Sequence, residues 1–511
     1  MQLEVGVDPL VLTVSALLLL AVLTAALAAR PGGRFRIPGA LLFLAIGMAV
    51  GDDGLGLVPF DDTGLVRSIG VVALLLILFE GGLTTKPSDL RTAALPGLAL
   101  ATVGVLITAA VTGVGVWLLL GVDVVTAGLI GSVVASTDAA AVFSTMRRLS
   151  LPRRVAAVVR IESGANDPIA VMLTVGLITT LEGGAVGAGG WLWFAVVQLL
   201  GGLAVGAVVG AGGVWLLRRV DLGVAGLYPI LAASVAGVAY GVAATLGASG
   251  FVAVYLAGLL IGGKVPRHRR AILGFHEAMA NAAEVGLFLV LGLLVFPSEL
   301  PAVAVPALAV AGVLILVARP AAVWLCTLGT GFRWQERSVI GWAGLRGAVP
   351  IVLATFPPAD ALAGDNTLFN VVFFVVLVSV LLQGTTLQAL VQRVGLEELR
   401  PAWAPVAEAL PLEDVDVDLV ELTVTSDLTI AGRLLSEVGS PGLSRVSAIV
   451  RDQGIVVPTG ATRLQVGDVL LLTCPRDRRR DIAAEMTAWA RGEADPDEPG
   501  AAEHGGEGDG R

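Results

Sequence analysis

Charged residues are scarce in this chain: they make up 15% of its 511 residues, against about 25% in typical soluble proteins. Only two cysteines occur, Cys326 and Cys474, so neither a disulfide framework nor a metal cluster is indicated. No basic patch with interleaved aromatic residues suggests nucleic acid as a partner. Apolar residues make up 56% of the whole chain, which also contains 65 glycines and has a mean hydropathy of +0.86. This composition is typical of a polytopic membrane protein.

Motifs that would define other classes of protein are missing. The chain has no HExxH, GxSxG or Walker sequence, which disfavours a membrane-embedded enzyme. It has no TVGYG-type filter, which disfavours a gated K⁺ channel. The apolar N-terminal stretch also lacks the basic n-region of a signal peptide, so we interpret it as a retained first span.

Apolar stretches recur along the first 395 residues. A membrane-spanning helix needs about 20 apolar residues, and thirteen stretches approach this length. They are 9–29, 37–50, 65–83, 94–120, 124–146, 154–181, 191–217, 224–246, 249–263, 277–296, 301–326, 338–356 and 367–391. We therefore predict a polytopic α-helical membrane domain over residues 1–395, followed by a linker over 396–414.

The loops between these spans alternate in charge. Loops after the odd-numbered spans contain seventeen basic residues, namely Arg30, Arg34, Arg36, Lys86, Arg91, Arg147, Arg148, Arg153, Arg154, Arg218, Arg219, Lys264, Arg267, Arg269, Arg270, Arg333 and Arg337. The other loops are acidic, with Arg67 as a basic exception. Because basic loops stay in the cytoplasm, the pattern predicts an outer N-terminus and a cytoplasmic C-terminus in the cell membrane.

The membrane character is lost from about residue 398. Alternating apolar residues predict strands at 419–424, 444–451, 454–458 and 468–473, with helices at 429–439 and 477–490. We predict a small α+β cytoplasmic domain over 415–490. The acidic, glycine-rich tail at 491–511 is expected to be disordered.

Four polar segments interrupt the apolar spans. They are 136–138 (STD), 162–168 (ESGANDP), Asn281 with Glu284, and 344–347 (GLRG) followed by Pro350. An ionisable side chain at this depth costs at least about 2.5–3.5 kcal/mol on insertion scales, so its default interpretation is functional. A site that holds a cation or a proton on its way across the membrane is the natural candidate.

Thr137 and Asp138 lie in the middle of the fifth span. A polar pair that caps a helix end is the simpler alternative, but apolar residues flank the pair on both sides. An interrupted helix exposes backbone groups that face an ion in many transporters. Asp138 would then balance the positive N-terminus of the second half-helix.

Ser163, Asn166 and Asp167 offer hydroxyl, amide and carboxylate oxygens, which suit Na⁺ or K⁺ rather than a soft metal. A structural polar network between helices is the alternative. Pro168 removes a hydrogen-bond donor and loosens the helix beside them. Since a proton and a cation would compete for the Asp167 carboxylate, this one shared site is enough to exchange one for the other.

Glu162 lies five residues before Asp167, which places the two about 140° apart around a helix. One of them is therefore expected to coordinate the cation and the other to pair with a charge. Arg346 is the predicted partner, because an unpaired guanidinium at this depth is hard to sustain. Glu284 competes with Glu162 for this role. For Arg346 we favour structural pairing over direct transport.

Further polar residues lie near the membrane surfaces. The segment 79–83 (FEGGL) closes the third span, and an ordinary interfacial helix end is its simplest interpretation. His268 and His276 flank the tenth span on the inner side. They could sense pH, although such residues are more often ordinary loop or interfacial histidines.

The segments 79–83, 136–139 (STDA), 162–168 and 344–348 (GLRGA) together resemble the monovalent cation:proton antiporter superfamily, specifically its NhaP-like and Na⁺/H⁺-exchanger branch. The resemblance implies thirteen helices in two inverted six-helix repeats, with crossed broken helices at spans 5 and 12. It also implies a homodimer in membrane lipid and an elevator-like swing of the ion-carrying bundle. The Asn-Asp pair is similar to that of the branch that exchanges one proton per cation.

By the same resemblance, Asp167 is the essential carboxylate. The residues implied around the ion are Asp138, Ser163, Asn166, the Thr137 backbone and, close by, Glu162. Ala139 stands where many relatives carry proline, so the break in span 5 is expected to be less sharp. No cofactor is implied besides the transported K⁺ or Na⁺ and H⁺.

The segment at about 415–490 resembles the RCK C-terminal domain of K⁺ transport proteins, most clearly in the turn and strand at 467–470 (GDVL). No strand followed by a GxGxxG helix precedes it, so the nucleotide-binding half of such regulators is not expected. Domains of this type dimerise and bind small regulators, which predicts a small-molecule regulator here. The domain favours K⁺/H⁺ exchange, with Na⁺/H⁺ exchange as the alternative.

Overall fold

The computed structural model describes residues 39–58, 62–85, 87–138, 151–182, 187–265, 268–357, 367–396, 403–405, 417–425, 428–440, 444–451 and 454–475, with isolated positions between 15 and 23 and Trp489. Contacts divide the chain into two compact units, 1–398 and 399–511. Most of the predicted first span, the second half of the fifth span, the predicted closing helix apart from Trp489 and the acidic tail lie outside the described residues.

The first unit is mostly helical. Its described α-helices are Gly39–Val50, Thr63–Thr84, Pro87–Ala99, Val105–Leu120, Val124–Val133, Arg153–Ala165, Asp167–Leu181, Ala188–Val196, Gly202–Arg219, Leu227–Thr245, Gly250–Lys264, Arg269–Leu293, Leu300–Val313, Arg319–Cys326, Trp334–Trp342, Ala348–Ala354 and Thr367–Arg393. Short π-helical stretches, Leu100–Gly104, Val197–Gly201 and Leu314–Ala318, join three pairs of them into longer helices.

The described helices confirm a polytopic membrane fold. Seven are long and apolar enough to cross a bilayer, and three shorter apolar helices accompany them. The predicted total of thirteen spans and their arrangement as inverted repeats stay predictions, because part of the chain lies outside the described ranges.

Breaks interrupt the helices where the sequence places polar residues. Helix Val124–Val133 gives way to a turn and an irregular segment over 134–138. An irregular segment over 343–347 separates Trp334–Trp342 from Ala348–Ala354. The predicted breaks in spans 5 and 12 are therefore present, while the effect of Ala139 concerns a residue that is not described.

Apart from Ala188–Val196, which continues into 202–219 and also contacts Asp167–Leu181, the described helices of the first unit pack in two groups, which we name the first and second bundles. The first bundle contains 39–50, 63–84, 202–219, 227–245, 250–264 and 269–293. The second bundle contains 87–120, 124–138, 153–181, 300–326, 334–354 and 367–393. Within each bundle helices touch backbone to backbone: a Cβ on Gly258 would overlap the Phe79 carbonyl, and one on Gly131 the Ala109 carbonyl. Such contacts show that small residues let the helices within each bundle pack closely.

The second unit contains an antiparallel sheet. Its strands are β1 (Trp403–Pro405), β2 (Val417–Thr423), β3 (Arg445–Arg451), β4 (Gly454–Val456) and β5 (Val469–Pro475), in the order β1-β2-β5-β3-β4. The four predicted strands are present with shifted ends. β1 lies in the predicted linker, and three residues are too few to reveal a period.

The predicted helix at 429–439 is wrong for most of its length. Gly432 has a φ of +81°, which no α-helix contains, and only Leu435–Val438 is helical.

Beside the sheet, buried Asp468 accepts hydrogen bonds from Arg451 Nε and Nη2, each 2.8 Å long. Burial raises the pKa of Asp468, but these bonds and one from the Gln465 amide outweigh it and leave the pKa below its ordinary value. The carboxylate is therefore charged at neutral pH.

Candidate ion-binding site

The two broken helices meet at one point. The Asp138 amide donates a hydrogen bond of 2.8 Å to the Leu345 carbonyl, so the irregular segments 134–138 and 343–347 cross there. Gly347 permits the approach, because a Cβ at this position would overlap the Asp138 carboxyl group. We call these two segments the crossing.

Arg346 holds the crossing together. It is 1% exposed, and its Nη1 donates to the carbonyls of Ala135 and Ser136 at 2.7 and 2.6 Å. These carbonyls follow the end of Val124–Val133, where a helix has unsatisfied acceptors and a partial negative charge. The guanidinium therefore caps the first half-helix from the second broken helix.

The structure corrects the predicted ion pair of Arg346. Glu162 pairs instead with Arg319 at 2.6 Å, and both side chains are 2% exposed. Glu284 lies within electrostatic range of Asp138 and Glu80, and no salt bridge joins it to Arg346 in the described part of the chain. The predicted offset of 140° assumed one continuous helix, whereas Glu162 and Asp167 lie on two helices, Arg153–Ala165 and Asp167–Leu181, that meet at Asn166.

Arg319 is the important residue that sequence reasoning missed. It follows the π-helical stretch Leu314–Ala318, and a Cβ on Gly344 would overlap its guanidinium. Arg319 thus lies between Glu162 and the break of the second broken helix. The signal was available, because Arg319 is a charged residue inside the apolar span 301–326.

Polar side chains of helix Thr367–Arg393 form hydrogen bonds that hold the crossing in place. The Arg346 amide donates to Ser379 Oγ at 3.2 Å, and Ser379 donates to Gln383 at 2.5 Å. Gln383 Nε2 in turn donates to the Trp342 carbonyl at 3.1 Å. These two polar residues in an apolar helix were also missed, and they fix the backbone on both sides of the break.

Asp167 lies beside the crossing at the start of Asp167–Leu181 and is 4% exposed. Its carboxyl group lies within electrostatic range of Asp138 and close to the Ser136 hydroxyl. Thr137 Oγ1 lies 3.2 Å from Ser163 Oγ and accepts a hydrogen bond from Asn166 Nδ2. The structure thus brings these predicted residues together, and it adds Ser136 to them.

Three buried oxygens in this region lack a hydrogen-bond partner among the described residues: Asp167 Oδ1, Asn166 Oδ1 and Ser136 Oγ. Buried polar atoms are normally satisfied, so each such exception requires an explanation. Carboxylate, amide and hydroxyl oxygens are the donors that a hard cation uses. By its chemistry the set therefore suits a hard cation such as Na⁺ or K⁺.

The remaining predicted polar residues lie on the helices 63–84 and 269–293 of the first bundle or at their ends. Asn281 is exposed, and Glu80 and Glu284 are half-buried. His276 is buried, with its Nδ1 2.7 Å from the Ile272 carbonyl and its ring edge against Phe79. His268 stacks on Tyr228 with ring centroids 4.1 Å apart. These contacts give both histidines packing roles.

A bundle of membrane helices whose two broken members cross beside buried carboxylates defines an ion-transporting secondary transporter. This chain belongs to the sodium/hydrogen exchanger family: the family's transmembrane profile matches residues 18–393. The profile of the TrkA-C domain matches residues 419–487.

Named relatives agree with this assignment. The chain is 40% identical to a K⁺/H⁺ antiporter NhaP2 of Shewanella baltica over 86% of its own length and 76% of the relative. It is 35% identical to a K⁺/H⁺ antiporter NhaP of Alkalimonas amylolytica over 94% and 83%, and 30% identical to the Na⁺/H⁺ antiporter ApNhaP of Aphanothece halophytica over 71% and 70%. All three are transporters, not enzymes.

The fold matches that of a solved transporter. The sodium proton antiporter MjNhaP1 of Methanocaldococcus jannaschii aligns with a TM-score of 0.65 at 23% identity, over 75% of this chain and 99% of MjNhaP1. At this identity the likeness concerns the fold alone.

Arg346→Ala should destabilise the protein strongly. The substitution leaves two buried carbonyls without a donor, and each costs about 1–3 kcal/mol. Thermal unfolding in detergent should show a clearly lower midpoint. Arg337→Ala is the matched control, since Arg337 donates to one carbonyl, that of Thr327, from a half-buried position. An equal shift in both variants would contradict the capping role.

Proposed function

We propose that this protein exchanges K⁺ for protons across the cell membrane, with Asp167 as the group that cation and proton occupy in turn. The unpartnered buried oxygens beside the crossing carry this proposal. A cation bound there satisfies them, and in its absence a proton neutralises the Asp167 carboxylate. Mutually exclusive occupancy of one carboxylate is sufficient for exchange.

The proposed ion site extends over both sides of the crossing. Its residues are Asp167, Asp138, Ser163, Asn166, Thr137 and Ser136. Thr137 takes part through its hydroxyl as well as its backbone, because that hydroxyl contacts both Ser163 and Asn166. Glu162 contributes indirectly, through its ion pair with Arg319.

Alternating access follows from the two bundles. The candidate site lies entirely within the second bundle, so movement of that bundle against the first carries the site between the two surfaces. We propose this elevator-type motion in a homodimer embedded in membrane lipid, with the N-terminus outside and the C-terminus in the cytoplasm. Exchange is electroneutral, one proton per cation, and no cofactor takes part.

The relatives support K⁺ as the cation. Two relatives at 35% identity or more, which the chain matches over most of its length, are named K⁺/H⁺ antiporters. Na⁺/H⁺ exchange is the second candidate, favoured by the relative from Aphanothece halophytica. The oxygen set suits either ion, so the experiment must compare them.

Purified protein in liposomes provides the test. With the membrane potential clamped, an outward cation gradient should drive proton uptake, faster with K⁺ than with Na⁺ or Li⁺ across a range of pH. A rate independent of the clamped potential supports one-to-one exchange. K⁺ current without proton movement would indicate a channel, and faster exchange with Na⁺ would favour the second candidate.

The unit at 399–511 is proposed as a cytoplasmic regulatory domain that binds a small-molecule regulator. Deleting residues 398–511 should change the pH dependence of transport without abolishing it, because the proposed ion site lies outside this unit. The same liposome assay, with folding checked by size-exclusion chromatography, measures this. A well-folded truncation without any transport would make the unit part of the transport machinery.

A further inference from the structure

Arg67 is an exception to the charge pattern of the loops, since it is a basic residue on the side that is otherwise acidic. Its Nη2 donates to the Thr355 carbonyl at 3.3 Å and to the Phe356 carbonyl, and its guanidinium lies 5.6 Å from the centre of the Phe356 ring. These carbonyls end the half-helix Ala348–Ala354. A positive charge at this end is favourable because the helix dipole is negative there.

The contact joins the two bundles. Arg67 belongs to helix Thr63–Thr84 of the first bundle, and the half-helix belongs to the second. One turn further along, Gly70 packs so tightly against Val352 that a Cβ at Gly70 would lie 2.5 Å from Val352 Cγ1. Both contacts lie at the same end of the molecule, the end that the charge pattern assigns to the outside.

The half-helix links this end to the candidate ion site. Gly347, at its start, contacts Asp138, and Thr355, at its end, accepts from Arg67. Gly347 and Thr355 are the residues that flank this half-helix, and eight residues of helical rise place the two contacts about 12 Å apart. A shift of the second bundle that opens the site toward this end must also separate Val352 from Gly70 and Thr355 from Arg67.

We propose that Arg67 and Gly70, with the C-terminal end of the half-helix, form a gate that closes the ion site toward the outer surface and opens in every transport cycle. We call the hydrogen bonds from Arg67 to the carbonyls of Thr355 and Phe356 the latch of this gate. Gly70 allows the close packing against Val352. The inference rests on the proposed antiport. It adds the residues that set the balance between the state in which the ion site is open to the outside and the state in which it is open to the cytoplasm.

A reversible cross-link tests the gate. In a background with Cys326→Ser and Cys474→Ser, Gly70→Cys and Val352→Cys are combined. A Cβ at Gly70 lies 3.5 Å from Val352 Cβ, within the range of about 3.5–4.5 Å that a disulfide requires. Oxidation should abolish K⁺-driven proton movement in liposomes, and reduction should restore it.

Gly115→Cys with Val313→Cys is the matched control. This glycine–valine pair has a Cβ–Cβ distance of 3.3 Å, just below the disulfide range, so its cross-link is also verified by mass spectrometry; both residues belong to the second bundle. Its oxidised form should transport at the rate of the reduced form. Full transport by oxidised Gly70→Cys/Val352→Cys, with cross-linking verified by mass spectrometry, would overturn the gate.

A second experiment tests the latch. Val352→Cys alone, in the same background, is labelled in intact cells with a membrane-impermeant maleimide, which reaches the thiol only when the gate opens. Arg67→Ala should raise the labelling rate about two- to fivefold, the effect of removing one charge from a helix end. Arg67→Lys should restore most of the closure because it keeps the charge.

Arg218→Ala is the control for the latch. Arg218 also donates to the end of a helix, the Lys264 carbonyl, but entirely within the first bundle. Its labelling rate should equal that of the parent. An unchanged rate in Arg67→Ala, or faster labelling from the cytoplasmic side, would overturn the latch. Antiport by the parent protein is measured separately and tests the proposed function. The labelling rates test the gate alone, since labelling does not require transport.

Discussion

Asp167→Asn is expected to reduce cation-driven proton movement to the level of empty liposomes while the protein stays folded. Asparagine has nearly the same shape, so packing around residue 167 is preserved. It cannot hold a proton in exchange for a cation, however, because its amide does not ionise in this pH range. The liposome assay measures the loss, and the elution volume in detergent verifies the fold.

Glu182→Gln is the matched control for this variant. Glu182 follows the same helix, Asp167–Leu181, at its exposed end. Removing that charge should leave the rate within the spread of the parent protein. Transport by Asp167→Asn at the parent's rate would move the exchange site to another carboxyl group.

Breaking the Arg319–Glu162 pair is expected to cause the largest loss of stability. Removing one partner of a buried pair leaves an uncompensated charge and costs about 3–5 kcal/mol. Arg319→Met and Glu162→Leu should each lower the thermal unfolding midpoint in detergent and the yield of folded protein.

The double variant distinguishes charge from packing. Arg319→Met combined with Glu162→Leu removes both charges and should recover most of the lost stability, because an apolar pair replaces a buried ion pair at little cost. If the double variant were as unstable as the sum of the single ones, the residues would act independently and the pair would have no structural importance.

The sequence was most informative where a polar or charged residue lies within an apolar span. Thr137, Asp138 and Asp167 stand out because charges and broken helices are costly in a membrane, and the structure brings all three together. Arg319 obeys the same rule and was overlooked among its apolar neighbours. The helical offset of Glu162 describes one helix only, so it could not reveal that Arg319, rather than Arg346, lies opposite.

Features that depend on packing between distant segments were beyond sequence reasoning. The partners of Arg346 are backbone carbonyls, and carbonyls have no side-chain signature. The close approach of Gly70 to Val352 depends on how the two bundles meet. Because the chain has 65 glycines, the sequence does not single out Gly70 among them. In the second unit, the positive φ of Gly432 excludes the eleven-residue helix that the apolar pattern at 429–439 predicts.

The most deeply buried charged residues described around the crossing are three acids and two arginines. Among the described residues there, those more than nine-tenths buried are Arg319 and Arg346 with Glu162, Asp138 and Asp167. When the three acids are ionised, two positive charges face three negative ones, and a single proton or alkali ion completes neutrality. If the second bundle moves as proposed, carrying the excess negative charge of this set through hydrocarbon without an ion would cost several kcal/mol. Under the proposed exchange, a bound proton or alkali ion would offset this excess charge during each crossing, so loaded sites would move more readily than empty ones.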